Sequence, residues 1–372
     1  MRNGLPRLLF PLFLATLWLP LIAVFASPQF LPFLRAVRHD PQSFEAERNR
    51  LRQATPLWNE AVAGYNDALY TLGVSGRPGV AEAGRDGWLF LGDIFSNNFS
   101  QALGRRVLDD AEVARWVAVL AQQQKSLAAR GIPFAFVVAP AKWSIYPEYL
   151  PAWTDDVHPV HSLDRLVAAA GALPLIDLRA ALRAAKAQAA TYSALDSHWT
   201  DYGAWVAWKQ IAADLNRTNA ALPPLHVPAL HGVATVDGPG EFEGMLGIAA
   251  RNRVTKIELE QPLSGYFVVA ADGSTRPMPG GSRTDLLDLP RTTRNDAASN
   301  RLRVLILRDS TGNALSPFLQ DAFYTTYQFD HSLAFPNRRP NVAALVEQLH
   351  PDLVLWIMTE RYLNERPGDP NG

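Results

Sequence analysis

The chain has 372 residues, of which 48% are hydrophobic, and a formal net charge of −1 at pH 7. This composition allows a large buried core in one or two domains, and it lacks the basic excess of a nucleic-acid-binding protein, so we expect no nucleic-acid partner. The absence of cysteine excludes disulfides, thiol catalysis and a cysteine-ligated metal.

The first 30 residues predict an export signal. Arg2 and Arg7 precede an apolar stretch over residues 8–26. A stretch of this length is sufficient for a membrane anchor, whereas Val24-Phe25-Ala26 is a weak cleavage site for a signal peptide. We expect residues 1–30 to form a signal anchor helix, with a cleaved signal peptide as the alternative. In both cases the positive charges predict that the rest of the chain lies outside the cytoplasm.

Helical and strand patterns alternate in the rest of the chain and predict an α/β fold. Residues 31–78 are rich in Arg, Glu and Ala and predict a helical spacer. The body of the protein comprises residues 79–366. There, an amphipathic helix begins at Asp110 and is followed by an apolar strand from Phe134 to Ala139, and this pattern of a helix followed by a strand recurs twice. This alternation indicates a parallel sheet with helices on both faces, a three-layer α/β/α arrangement.

Two parts of the chain depart from this alternation. Residues 223–300 are rich in Gly, Pro, Asp and Asn and contain only short β-like pieces, which predicts a partly β insertion in the body. We interpret this insertion as one wall of an acceptor groove. The tail, residues 367–372, is predicted to be disordered.

Three residues in two distant motifs have the chemistry of a catalytic triad. Asp196 and His198 are two positions apart, close enough for the carboxylate to hold the imidazole Nδ1–H. Ser310 follows the apolar run that ends at Leu307, which predicts a nucleophile at the carboxyl end of a buried strand. A helix beginning after Thr311-Gly312-Asn313 would direct amide N–H groups at the site, and these can act as oxyanion donors.

Five blocks in the same order resemble the SGNH-like O-acetyltransferases of the alginate acetylation type, AlgJ and AlgX. The blocks are Gly84 to Phe90, Pro140-Ala141-Lys142 with Tyr146-Pro147-Glu148, Asp196 to Trp199, Asp309-Ser310, and Pro351 to Val354 with Glu360-Arg361. The acid and base come before the serine, which is the permuted order of this family. The chain has Arg308 and Thr311 where the family usually has a glycine and an aromatic residue.

The resemblance implies an SGNH-like fold and a periplasmic O-acetyltransferase at the inner membrane that acts on an exported polysaccharide, alginate-like or another. Ser310 would be acetylated, His198 would transfer the proton and Asp196 would orient His198. The implied partners are the polysaccharide acceptor, a membrane-bound O-acyltransferase as acetyl donor and a polysaccharide secretion complex. No cofactor is expected, because the chain has no recognisable coenzyme A site and the acetyl group is delivered by the partner. No metal is expected, because the other histidines do not form metal-ligand motifs.

Four further residues are predicted to bind substrate: Lys142, Tyr146, Trp199 and Arg361. The aromatic side chains have the shape to stack on sugar rings, although core packing is the commoner role of such residues. Arg361 is adjacent to Glu360 and can either form a buried ion pair or face the pocket. Asp309 has a more plausible role in shaping the turn than in the reaction.

Three other functions are compatible with parts of this pattern. A carbohydrate acetyl esterase would have the same triad, with water in place of the sugar hydroxyl. A sugar-binding scaffold subunit of a secretion complex would need no reaction at all. The Asp196 and His198 pair also fits a dinuclear metallophosphoesterase, but the other histidines do not form the additional ligand motifs of that class.

Overall fold

The computed structural model describes residues 18, 22, 24–40, 43–54 and 56–367. These residues fall into two compact units, one comprising the chain up to Gly76 together with Glu243–Ala250, the other Arg77–Phe242 and the chain from Arg251 onward. None of the helices in these described ranges is long and apolar enough to cross a bilayer. The predicted anchor over residues 1–30 and the tail 367–372 lie largely outside the described residues, so both stay predictions.

The first unit is helical over most of its described residues. Its helices are α1 (Phe30–His39), α2 (Phe44–Gln53) and α3 (Pro56–Thr71), in the segment predicted to be a helical spacer. Buried Asn66 on α3 donates a hydrogen bond to the Leu246 carbonyl at 2.5 Å, and Asp67 accepts one from the Ala249 N–H at 2.7 Å. These two contacts attach the short 243–250 segment to α3.

The second unit contains a mixed eight-stranded sheet. The other α-helices among the described residues are α4 (Asn98–Ala102), α5 (Asp110–Ala128), α6 (Lys142–Ile145), α7 (Ser162–Ala170), α8 (Arg179–Ala185), α9 (Asp201–Thr218), α10 (Glu241–Leu246), α11 (Gly312–Ala322) and α12 (Val342–Leu349). The strands are β1 (Ala81–Ala83), β2 (Leu89–Leu91), β3 (Phe134–Ala139), β4 (Leu175–Asp177), β5 (Leu230–Gly238), β6 (Asn252–Leu259), β7 (Tyr266–Val269), β8 (Thr275–Met278), β9 (Arg291–Arg294), β10 (Arg303–Arg308), β11 (Thr325–Asp330) and β12 (Leu353–Thr359).

The strand order of the main sheet is β4-β3-β12-β10-β11-β9-β7-β8. The strands from β4 to β11 are parallel, as predicted, but β9, β7 and β8 pair antiparallel along one edge. The predicted parallel sheet is therefore present as five strands of a mixed sheet. The reason is that part of segment 223–300 extends the main sheet, whereas β5 and β6 form a separate antiparallel pair.

Helices cover both faces of the parallel strands, which gives the predicted three layers. Along β10, Val304 and Ile306 belong to the core that packs on α8, α9 and α11, whereas Leu305 and Leu307 belong to the core that packs on α5, α7 and α12. All four side chains are buried because each face of the strand is covered by helices. This packing fixes the carboxyl end of β10, where the nucleophile motif begins.

Candidate active site

The structure brings Asp196, His198 and Ser310 into one hydrogen-bonded chain. Asp196 Oδ1 lies 2.8 Å from His198 Nδ1 and also accepts the His198 N–H at 2.9 Å. His198 Nε2 lies 2.8 Å from Ser310 Oγ. The two ring nitrogens thus contact an acid and a hydroxyl, the arrangement that lets an imidazole take a proton from a serine.

Local structure explains how the acid and base segment is held. Tyr192 and Trp199 form an isolated antiparallel bridge, and the Thr200 hydroxyl caps α9 by accepting the Gly203 N–H at 3.1 Å. The Trp199 indole N–H donates to the Thr311 carbonyl at 3.0 Å. This bond links the acid and base segment directly to the turn that carries Ser310.

His198 is predisposed to act as a base. Burial alone would lower its pKa, but the hydrogen bond to Asp196 and the negative charges of Glu241 and Asp196 outweigh burial and raise the pKa above its ordinary value. For Asp196, burial opposes ionisation, whereas the hydrogen bonds and charge of His198 and the charge of Lys142 lower its pKa. Asp196 is therefore the ionised partner that stabilises an imidazolium.

Asp309 is buried beneath the nucleophile and shapes the turn. Its Oδ1 accepts from the Thr311 N–H at 2.8 Å and the Thr311 hydroxyl at 2.5 Å, and its Oδ2 accepts from the N–H and hydroxyl of Thr359, both at 2.7 Å. His331 Nε2 lies 3.3 Å from the same Oδ2. Burial would raise the pKa of Asp309, but His331, Arg361 and Thr311 hold it well below the usual range of a carboxyl. These contacts agree with the predicted turn role.

Arg308 is fully buried and supports the start of α11. Its guanidinium donates to Gln328 Oε1 at 2.8 Å, to the Asp309 carbonyl at 3.0 Å, to Asn313 Oδ1 at 2.9 Å and to the Thr284 carbonyl at 2.8 Å. A Cβ at Gly312 would approach Arg308 Cδ to 2.2 Å, so only glycine fits beside this side chain. The large side chain of Arg308 is thus accommodated by a glycine four residues later.

The expected oxyanion donors at the start of α11 are mostly used within the turn. The Thr311, Gly312 and Asn313 N–H groups donate to Asp309 Oδ1, the Asp309 carbonyl and the Ser310 carbonyl. Within the part of the chain that the structure describes, the Ser310 N–H makes no backbone or side-chain hydrogen bond. The supply of oxyanion donors by α11 therefore stays a prediction, and the Ser310 N–H is the candidate donor in this turn.

Of the four predicted substrate residues, Trp199 alone lines the cavity beside Ser310. Lys142 is buried and donates to the carbonyls of Ser193 at 3.1 Å and of Ala194 and Asp196 at 2.9 Å, so the prediction of a substrate contact is wrong. Its ammonium also lies 5.1 Å from the ring centroid of Trp88, 5.2 Å from that of Phe90 and 5.1 Å from that of Phe242. Burial lowers its pKa to about 7, against the charges of Asp196 and Glu241.

Tyr146 and Arg361 also have structural contacts. The Tyr146 hydroxyl accepts the Thr191 N–H at 2.9 Å, and its buried ring lies 4.6 Å from that of Trp88, so it does not face the cavity. Arg361 is buried, donates to the Tyr362 hydroxyl at 3.2 Å and forms no ion pair with Glu360 among the described residues. Both predicted substrate contacts are absent from this arrangement, although the charge of Arg361 lowers the pKa of His198.

A groove leads away from the triad. The cavity beside Ser310 has a volume of about 180 Å³, and a second cavity of about 470 Å³ shares Asp201, Arg283 and Ala314 with it. Where the two cavities meet, the Asp201 carboxylate forms ion pairs with Lys256 and Arg283. Lys256 Nζ lies 3.0 Å from the Asp201 carboxylate. The groove combines a polar end at the triad with an apolar end lined by Ile257, Leu259, Pro262, Leu263, Pro317 and Phe318.

Sequence reasoning missed Glu241, the first residue of α10. Its Oε2 lies 3.5 Å from His198 Nδ1, and its Oε1 accepts the Ser197 N–H at 2.8 Å. Asp196, His198 and Glu241 are also three potential metal ligands, with ligand atoms within 4.8 Å of one another. However, Asp196 and Nδ1 share a hydrogen bond and Nε2 faces Ser310, so the geometry favours a triad over a metal centre.

Comparison with known proteins identifies the family of this chain. Residues 81–278, just over half of the chain, match the family described as "SGNH hydrolase-like domain, acetyltransferase AlgX". The chain belongs to this family. The matched segment contains Asp196, His198 and Glu241 but ends before Ser310, which the fold brings to them.

Individual relatives cover parts of the chain. It is 34% identical over 181 residues to "Probable alginate O-acetylase AlgJ" of Pseudomonas aeruginosa, which is 48% of this chain but only 42% of that protein. PatB1 of Bacillus cereus superposes with a TM-score of 0.54 and 16% identity over 77% of this chain and 97% of that chain. A DHHW family protein from Eubacterium siraeum gives a TM-score of 0.52 and 16% identity over 77% and 93% of the two chains. These two structures support the SGNH-like α/β fold alone.

Proposed function

We propose that this protein is an O-acetyltransferase that moves acetyl groups to hydroxyls of an exported polysaccharide through an acetyl-serine intermediate. The observation that carries the proposal is the continuous hydrogen-bonded chain from Asp196 through His198 to Ser310. Family membership and the partial match to "Probable alginate O-acetylase AlgJ" supply the reaction class.

The first half-reaction acetylates the serine. Ser310 Oγ attacks the carbonyl carbon of the acetyl donor while His198 Nε2 takes the hydroxyl proton, and Asp196 stabilises the imidazolium. The bond to the donor group breaks and the proton passes from His198 to that leaving group. The products are acetyl-Ser310, neutral His198 and the free donor alcohol or thiol.

The second half-reaction transfers the acetyl group to the sugar. An acceptor hydroxyl attacks the acetyl-Ser310 carbonyl while His198 takes its proton, and the proton then returns to Ser310 Oγ as the ester bond to the enzyme breaks. The groove past Asp201 and Arg283 supports an extended acceptor, because it continues beyond the volume that a single reacting group needs. We further propose a periplasmic, membrane-attached location and an acetyl donor supplied by a membrane-bound O-acyltransferase of a secretion complex.

Product analysis tests the proposal. The purified chain is incubated with an activated acetyl ester and a panel of uronate and glucan oligosaccharides, beside Ser310→Ala and the control Ser299→Ala, in which an exposed serine is removed. We expect acetylated oligosaccharide from the wild type and from Ser299→Ala, and a loss on the order of 10⁴-fold or more in Ser310→Ala. Ester loss without any sugar product would favour an acetyl esterase, and no Ser310-dependent turnover would favour a scaffold.

A further inference from the structure

The imidazole of the triad faces a second carboxylate in addition to Asp196. Glu241 Oε2 lies 3.5 Å from His198 Nδ1, the nitrogen that Asp196 Oδ1 contacts at 2.8 Å. The other oxygen of Glu241 accepts the Ser197 N–H at 2.8 Å, so the carboxylate is held in place by the backbone of the acid and base segment. The Glu241 side chain is 21% exposed and that of His198 is 27% exposed, which keeps the pair partly shielded from water.

We infer that Glu241 is a positioning residue that increases the basicity of His198 and fixes the conformation of the acid and base segment. Both proposed half-reactions pass through a His198 imidazolium, and a negative charge 3.5 Å from Nδ1 stabilises that cation in each of them. Asp196 fixes the tautomer of His198 through its shorter contact with Nδ1. Glu241 adds a second negative charge near the ring without competing with Asp196 for the Nδ1 proton.

The other charged groups around His198 do not duplicate this role. Lys142 donates to the Asp196 carbonyl, and Arg361 lowers the pKa of His198 by its positive charge. On the groove side, Asp201 is already bound by Lys256 and Arg283. Glu241 is therefore the carboxylate besides Asp196 that faces the ring among the described residues.

Replacing Glu241 by glutamine separates charge from hydrogen bonding. In Glu241→Gln the side-chain carbonyl still accepts the Ser197 N–H, so the segment keeps its conformation while the charge beside His198 is removed. We expect the pKa of His198 to fall by at least about one pH unit, because that is the size of a Coulomb interaction at this distance in water and the pair is partly shielded from water. The acid limb of the pH dependence of kcat/KM should move to lower pH by the same amount, with a lower plateau.

The pKa is measured directly by NMR titration of His198 in the Ser310→Ala background, with and without Glu241→Gln, and with the exposed Glu260→Gln as a control. The inference rests on the proposed function only for the rate effect, because the titration needs no turnover. An unchanged His198 pKa in Glu241→Gln would overturn the inference whatever the activity of the protein. A shifted pKa in a protein without Ser310-dependent turnover would uphold the electrostatic role and overturn the proposed reaction.

The values of kcat for two Glu241 variants test the positioning role separately. Glu241→Ala removes the Ser197 contact as well as the charge, so it should lower kcat further than Glu241→Gln. Full activity of both variants across the pH range would refute a positioning role in catalysis. Asp196→Asn is the reference, for which we expect a loss of about 10⁴-fold in kcat because the tautomer is no longer fixed.

Discussion

Replacement of Lys142 by methionine tests whether this buried ammonium holds the acid of the triad in place. Its three N–H groups donate to the carbonyls of Ser193, Ala194 and Asp196. Methionine has a similar length and fits among aromatic side chains, so little cavity is created. The variant removes the donor to the Ser193 and Asp196 carbonyls, whereas the Ala194 carbonyl keeps the Leu89 N–H at 3.0 Å. At about 1 kcal/mol for each of the two carbonyls, the free energy of unfolding should fall by about 2 kcal/mol.

The assay is urea denaturation monitored by tryptophan fluorescence, with kcat determined in native buffer. Lys209→Met is the matched control, because Lys209 is exposed and its ammonium lies over one aromatic ring, 5.3 Å from the Trp205 centroid. We expect the control to change stability by less than about 0.5 kcal/mol. We also expect Lys142→Met to lower kcat, because the Asp196 carbonyl is no longer held.

The competing possibility is that Lys142 only neutralises nearby charge. A Lys142→Met variant as stable as the Lys209→Met control, with wild-type kcat, would refute the reasoning that the Ser193 and Asp196 carbonyls depend on this ammonium. If stability falls but kcat measured on the folded fraction is unchanged, Lys142 stabilises the fold without positioning Asp196.

Three further predictions concern the turn and the base. Asp309→Asn should lower the free energy of unfolding at neutral pH. Because the pKa of Asp309 is depressed in the folded state, this difference from wild type should shrink as pH falls below about 4. Urea titrations at several pH values measure the difference, with exposed Asp156→Asn as control, and a difference that does not change with pH would contradict the prediction. Arg308→Met should lower the free energy of unfolding by about 3 kcal/mol, since Gln328, Asn313 and Thr284 lose the donor while the Asp309 carbonyl keeps the Gly312 N–H; wild-type thermal stability would contradict that role. For the wild type, the acid limb of kcat/KM should lie above the ordinary histidine value of about 6.5, because the pKa of His198 is raised, and a limb below that value would be inconsistent with the site.

The sequence predicted those parts of the fold that depend on local pattern. The apolar run before Ser310 predicted β10, and its side chains are buried on both faces as a central strand requires. The two-residue spacing of Asp196 and His198 predicted their contact, which forms at 2.8 Å. In both cases the information lies within a few neighbouring residues.

Long-range contacts could not be predicted in the same way. Pairing of β9 with β11 depends on packing between segments distant in sequence, so the antiparallel edge was missed. Glu241 and His198 are separated by a helix and a strand, and no spacing rule connects them. Lys142 was expected near substrate because it follows the end of the Phe134 to Ala139 strand, close to the proposed crevice, whereas here three carbonyls and three aromatic rings surround it.

Direct detection of the acetylated serine tests the central claim. The protein is mixed with an activated acetyl ester, quenched in acid within the first turnover, and its peptides are mapped by mass spectrometry, with His198→Ala and Ser310→Ala in parallel. The account predicts one acetyl group on Ser310 of the wild type, which disappears when acceptor oligosaccharide is added before the quench, and none at that position in either variant. Acetylation that is absent from Ser310, or equal in wild type and His198→Ala, would contradict the account.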